Sequence, residues 1–291
     1  MGTRTISLTK WHILLRLGRV SNLPTVWSNV FTGAVLSGYS LQNYILVVVL
    51  IALSLIYVAG MFRNDAFDHK IDIKERPTRP IASGEISART VFLSGYSILG
   101  AGVLMLALTN MAALISGLVL AALVVFYNFY HKGNPLSPLL MGLCRMLVYI
   151  TSTLAITGGS IPNLVWQGAL VLLAYSIGLT YIAKQENFGK ITKLWPLLGL
   201  AAPVLFVLFK LPWTVLSLIS LALIVAWTLR CLWLVIANSS RNIRHAVSGF
   251  IAGISLNDAL LMSTQDAQAL VILGYVAFLL TYLAQRRIAG T

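Results

Sequence analysis

Apolar runs close to twenty residues long follow one another along almost the whole chain, and no other feature restricts its fold so much. A helix of that length crosses the roughly 30 Å hydrocarbon core of a bilayer with its backbone hydrogen bonds satisfied internally. Ten runs are predicted as membrane-spanning helices: 20–38, 44–62, 90–108, 112–130, 139–157, 164–183, 195–209, 213–236, 246–263 and 267–285. The seventh is short, and the ninth carries Asn257 and Asp258. Hydrophobic residues make up 58% of the chain and charged residues 10%. Soluble domains carry about a quarter charged residues, so much of this surface needs lipid as its solvent. The expected fold class is all-α, a polytopic transmembrane helical bundle.

Charge sets the expected orientation. With the N-terminus in the cytoplasm, the inner segments collect Arg4, Lys10, Arg16 and Arg19, then Arg63, Lys70, Lys74, Arg76, Arg79 and Arg89. Further on they collect Lys132, then Lys184, Lys190 and Lys193, then Arg241 and Arg244, and finally Arg286 and Arg287. Lys210 alone falls outside, and Arg145 and Arg230 lie within spans. This is the bias of a membrane protein with both termini inside, and ten spans satisfy it, whereas nine would move Arg286 and Arg287 to the outer face. The net charge of +13 therefore reflects topology and contact with anionic lipid; no nucleic-acid partner is expected. The opening MGTRTISLTKWH is polar and the run behind it lacks a small-residue cleavage site, so no cleaved signal peptide is expected. Cys144 and Cys231 both lie in apolar runs and read as buried thiols. The outer connections are short, and residues 1–291 are expected to form one membrane-embedded domain.

Chemistry is concentrated in one place. Five of the eight acidic residues, Asp65, Asp68, Asp72, Glu75 and Glu85, fall between positions 65 and 85. Asn64, Asp68 and Asp72 recur every four residues and share one face if the second spanning helix continues past the membrane boundary. Asp65 lies at the edge of that face. Oxygen donors one turn apart suit a hard cation, and Mg²⁺ takes a few carboxylates together with waters and phosphate oxygens. The plainer reading is a solvated helix end whose acids pair with Arg63, Lys70 and Lys74. Against it stands the next segment, Glu75-Arg76-Pro77-Thr78-Arg79-Pro80-Ile81-Ala82-Ser83-Gly84. Its prolines and glycine predict a turn that sets guanidiniums for phosphate beside carboxylates for a metal.

These two pieces resemble the first aspartate-rich motif of the UbiA superfamily of membrane prenyltransferases, N-D-x-x-D-x-x-x-D, and the R-P-h-x-S-G turn that commonly follows it. Asn64, Asp65, Asp68 and Asp72 match the motif; Arg79, Pro80, Ser83 and Gly84 match the turn. Arg19, Pro24 and Asn29 stand in family-like places in the first helix. The resemblance implies a bundle of nine to ten transmembrane helices around a cavity open to the cytoplasm. It implies Mg²⁺ held by Asn64, Asp65, Asp68 and Asp72, and substrate contacts from Arg19, Asn29, Arg79 and Arg145. Tyr127 and Lys132 lie where the family has Y-x-x-x-K, though Lys132 is five residues after Tyr127. They join Asp68 and Asp72 in the expected chemistry, and an aromatic belt with an anchoring lysine is the alternative. An arginine inside a span, as Arg145 is, usually faces a cavity or a partner.

The chain departs from the family where a second aspartate-rich motif should follow the sixth helix. Tyr181-Ile182-Ala183-Lys184-Gln185-Glu186-Asn187-Phe188-Gly189-Lys190 contains no aspartate. Family members of the ebo export clusters share such a degenerate stretch. Lys184 is expected to supply positive charge there, beside Glu186. The four histidines, His131 among them, read as interfacial side chains. The expected function is transfer of a prenyl group from an isoprenyl diphosphate to a small, aromatic acceptor at the cytoplasmic face of a bacterial inner membrane. The competing reading is a non-catalytic or transport-linked lipid-binding protein that keeps a diphosphate site.

Overall fold

The computed structural model describes residues 3–38, 44–185, 195–210, 214–236, 240–265 and 267–290. Among them run eleven α-helices: α1 Thr3–Leu17, α2 Leu23–Leu36, α3 Tyr44–Glu75, α4 Ala88–Leu106, α5 Met111–Tyr130, α6 Ser137–Thr157, α7 Asn163–Lys184, α8 Ala202–Leu208, α9 Val215–Ile236, α10 Ser240–Met262 and α11 Gln268–Ala284. Short 3₁₀ turns at Val20–Asn22 and Trp195–Ala201 lead into α2 and α8.

Every predicted apolar run holds helix, but not all of them are long enough to cross by themselves. Seven helices, α3 to α7, α9 and α10, have the length and apolarity of a membrane span. Helix α2 has fourteen residues and α11 seventeen. The seventh run divides into a 3₁₀ turn and a seven-residue helix, with Pro196 and Pro203 near their starts; proline removes a backbone donor and suits only a first turn. The ninth run, in contrast, is one continuous helix through Asn257 and Asp258. Leu104, Leu118, Leu218, Trp233, Ile272 and Leu279 stand exposed on the outer helices, a surface that lipid and not water must cover. The chain is an integral membrane protein.

Helix α2 lies at the centre, packed on α3, α6, α10 and α11. The approach to α6 is close because Gly33 has no side chain: a Cβ there would fall 2.7 Å from the Tyr149 carbonyl oxygen. Ser152 and Thr153 of α6 then donate to the Val30 and Gly33 carbonyls, both at 2.9 Å. Small residues and hydroxyls are the usual means of joining helices where water provides no hydrophobic drive.

Two features prepare the site. Helix α3 has 32 residues, about 48 Å at 1.5 Å per residue, so its last turns run beyond a 30 Å hydrocarbon core and carry Asn64 to Asp72 out of it. Helix α1 was not anticipated by the polar opening of the chain. It is anchored by Ile13 and Leu17, four residues apart, which pack with Phe62, Ala66 and Val91 on the inner end of α3 and α4.

Candidate active site

A cavity of about 850 Å³ opens between α2, α3, α5, α6, α7 and α10. Its inner end is polar, bounded by Arg19, Asn64, Asp68, Asp72, Arg79 and Lys132; Leu53, Ile56, Leu120, Val124, Val148 and Ile254 are among the apolar residues of its walls.

The ladder on α3 forms as its spacing predicts. Asn64, Asp68 and Asp72 all line the cavity and all are less than a tenth exposed. Asp65 does not line it. Its Oδ1 accepts from Arg19 Nη2 at 3.0 Å and sits 3.2 Å from Arg79 Nη1. Arg79 also reaches Asp72 Oδ2 at 2.7 Å, so one guanidinium spans two acids. The turn makes this possible. Arg76 and Arg79 amides bond back to the Asp72 and Arg76 carbonyls, the Ser83 amide closes on Arg79, and Gly84 takes φ +79. Helix α1 pins the turn from outside, with Arg16 on Glu85 at 3.0 Å and on the Thr78 carbonyl at 2.5 Å. Glu85 is thereby a structural partner of the turn.

Arg19 lies at the joint between α1 and α2. It is the one residue other than glycine with positive φ among those described, at φ 42° and ψ 48°. Left-handed backbone costs a residue with a Cβ about 1 kcal/mol or more, and here it turns the side chain onto Asn64 and Asp65, both at 3.0 Å. Burial works against the charge on Arg19, but Asp65 and its neighbours outweigh it and raise the pKa.

The acids do not pair with Arg63, Lys70 or Lys74. Arg63 is fully buried on the opposite side of α3, with its guanidinium carbon 4.2 Å from the Tyr96 ring centre. Asp68 instead meets two side chains from the end of α5: His131 Nε2 at 3.3 Å and Lys132 Nζ at 3.7 Å. His131 lines the cavity and stacks on Tyr127, ring centres 5.1 Å apart. The expectation of an interfacial histidine is corrected here. Four residues separate Tyr127 from His131, one helical turn, so His131 occupies the place that the Y-x-x-x-K spacing gives to lysine. That spacing was the signal for it. Asn128, also on this turn, links Asn64 at 3.4 Å to the Gly60 carbonyl at 3.0 Å.

Arg145 lines the cavity deeper in, 5.9 Å from the Tyr57 ring centre. Asn29, expected to touch substrate, stands fully buried behind it, accepting from Arg145 Nη1 at 3.1 Å. Lys184 reaches the cavity from the end of α7, and its ammonium donates to the Asn134 carbonyl at 2.5 Å. Glu186, Lys190 and Lys193 lie outside the described residues. Among the described residues no three histidine, cysteine or acidic side chains converge as a ready metal cage.

The sequence pattern of the UbiA prenyltransferase family matches residues 24–256, which includes the ladder, the turn and most of the cavity lining. The chain belongs to the UbiA prenyltransferase family. A curated UbiA-type relative, the digeranylgeranylglyceryl phosphate synthase of Methanothrix thermoacetophila, is 33% identical over 147 residues, 50% of this chain and 53% of that protein. The chain thus spans about half the length of the curated relatives it matches. Among solved structures, the UbiA homologue of Aeropyrum pernix K1 superposes with a TM-score of 0.63 at 18% identity, over 89% of this chain and 96% of that one. A UbiA homologue of Archaeoglobus fulgidus, bound to DMAPP and Mg²⁺, gives 0.53 at 15% identity, over 93% and 98%. These two likenesses establish a UbiA fold.

Proposed function

We propose that this chain transfers a prenyl group from an isoprenyl diphosphate to an acceptor at the cytoplasmic face of the membrane. The observation that carries the reading is the cavity itself. Carboxylates and guanidiniums crowd one end, and largely apolar walls lie behind them. The family membership supports it, as does the DMAPP and Mg²⁺ named for the Archaeoglobus protein.

Asn64, Asp68 and Asp72 fit Mg²⁺ in donor type, all hard oxygens on one helix face, with waters and diphosphate oxygens to complete six positions. When bound, the ion would offset the negative charge that grows on the departing diphosphate. The protein's own groups do the rest. Arg79, Arg19, His131 and Lys132 ring the same end and hold the diphosphate oxygens by charge-assisted hydrogen bonds. They are already paired with Asp65, Asp68 and Asp72, so a diphosphate takes over some of these contacts. The C–O bond breaks with its electron pair leaving on the diphosphate, and the allylic cation sits against the Tyr127 ring between walls that exclude water. The acceptor attacks the cation, forming the new bond to the prenyl carbon, and gives up its proton to the departed diphosphate. An aromatic ring meets these demands, and so does a hydroxyl. The name of the Methanothrix relative, with a glyceryl phosphate in its product, is reason to test both. Lys184 adds fixed charge where the second aspartate motif is missing.

The test is a mass-spectrometric screen of the purified protein with Mg²⁺, prenyl diphosphates of several lengths, and phenolic and glycerol-phosphate acceptors. A prenylated acceptor that appears only with Mg²⁺ is the expected result. Tight prenyl diphosphate binding without any product would favour the lipid-binding alternative.

A further inference from the structure

Behind the cavity wall lies a polar cluster that the proposed reaction leaves unused. Asp258, in the last turns of α10, is fully buried. Its carboxylate accepts hydrogen bonds from Ser28 and Asn29 of α2 and from Tyr149 of α6. Ser255, on the preceding turn of α10, lies 3.1 Å from the Ser28 hydroxyl. A carboxylate in the interior of a membrane bundle is costly without a compensating charge, yet no cation touches Asp258 among the described residues. The link is indirect. Asn29 Nδ2 donates to Asp258 at 2.7 Å, and Asn29 Oδ1 accepts from Arg145 at 3.1 Å. A guanidinium only donates, so Asn29 Oδ1 must face Arg145 and its Nδ2 must face Asp258, and this one amide joins the two side chains.

Of the three, only Arg145 lines the cavity. Its neighbour Tyr57 precedes Asn64 by seven residues on α3, about 10 Å at 1.5 Å per residue, and Asn29 lies a similar distance into α2. Arg145 therefore stands well inside the carboxylate ladder. Left to itself, a long side chain with several rotamers would not keep one position there. We infer that Asp258, acting through Asn29, is a positioning residue that holds the Arg145 guanidinium at a fixed depth in the cavity for the polar part of a substrate. The inference rests on the prenyl-transfer reading for the identity of that substrate, but not for the relay itself. The competing role for Asp258 is to tie α2, α6 and α10 together and nothing more.

Four proteins separate the two roles: Asp258→Asn, Asn29→Ala, Arg145→Gln and the double Asp258→Asn/Arg145→Gln, each assayed for transfer against both substrates. Under positioning, Asp258→Asn raises by about tenfold the KM of whichever substrate Arg145→Gln affects, with kcat within about twofold. Asn29→Ala, which leaves Asp258 and Arg145 in place and removes only the link between them, has the same effect, and the double variant is no worse than Arg145→Gln alone. A fall in kcat at unchanged KM, with losses that multiply in the double variant, overturns the proposal. Should the wild type transfer no prenyl group at all, the transferase reading fails and the relay is judged by a cryo-EM structure of Asp258→Asn. Arg145 moved off Asn29 supports it; Arg145 unmoved overturns it.

Discussion

At the scale of single residues, the ladder was legible because helical spacing is periodic and carboxylates at a membrane boundary are rare. Which way each acid turns was not. Asp65 belongs to the same motif but faces Arg19 and Arg79, a distinction that depends on a strained residue 46 positions upstream and on a proline-rich turn. Scattered histidines in a membrane protein read as interfacial side chains, yet the one-turn spacing from Tyr127 favours His131 over Lys132. The geometry gives a direct prediction. His131→Ala should weaken prenyl diphosphate binding by about tenfold or more, the worth of a charge-assisted hydrogen bond, while His131→Lys should retain it. Lys184→Ala should weaken it less, since its ammonium is held by the Asn134 carbonyl. Radiolabelled geranyl diphosphate binding in detergent measures all three, and equal affinity across them would remove both residues from the site.

Among the elements, helix positions followed from apolar runs, since only a helix can cross lipid. What composition could not disclose were contacts between elements: α1 docking on α3, the break of the seventh run, and the closeness of α3 to α4. Gly102 decides the last of these. A Cβ on it would fall 2.8 Å from the Ala52 carbonyl oxygen and 2.9 Å from Ile56 Cγ1, and the backbone cannot yield there. Gly102→Val should therefore destabilise the bundle by about 1–3 kcal/mol, as overpacking does, and lower its melting temperature in detergent. Gly100, two residues away with open space around its Cβ position, should accept alanine with little change. A Gly102→Val protein as stable as the wild type would show that α3 and α4 can separate freely.

For the whole molecule, we propose that the distribution of Lys and Arg points to ten crossings, three more than helix length alone gives. Seven helices qualify as spans by length, and α2, the Trp195–Leu208 stretch and α11 are shorter apolar pieces that complete ten crossings only if they tilt little and the bilayer thins. With ten, tags placed at residues 1 and 291 are both reached from the cytoplasmic side of sealed vesicles. A C-terminal tag reached only from outside would reduce the count by one and place Arg286 and Arg287 on the wrong face. We propose that the polar end of the cavity binds a prenyl diphosphate through the α3 ladder together with Mg²⁺. Titration of purified protein with geranyl diphosphate, with and without Mg²⁺, tests it in the wild type, Asp68→Asn and His69→Ala. His69 is on the same helix but does not line the cavity, and its ring contacts the Ala66 carbonyl. Mg²⁺-dependent binding is expected in the wild type and in His69→Ala, with a loss of about a hundredfold in Asp68→Asn and melting temperatures alike. Binding that ignores Mg²⁺, or that survives in Asp68→Asn, would contradict it.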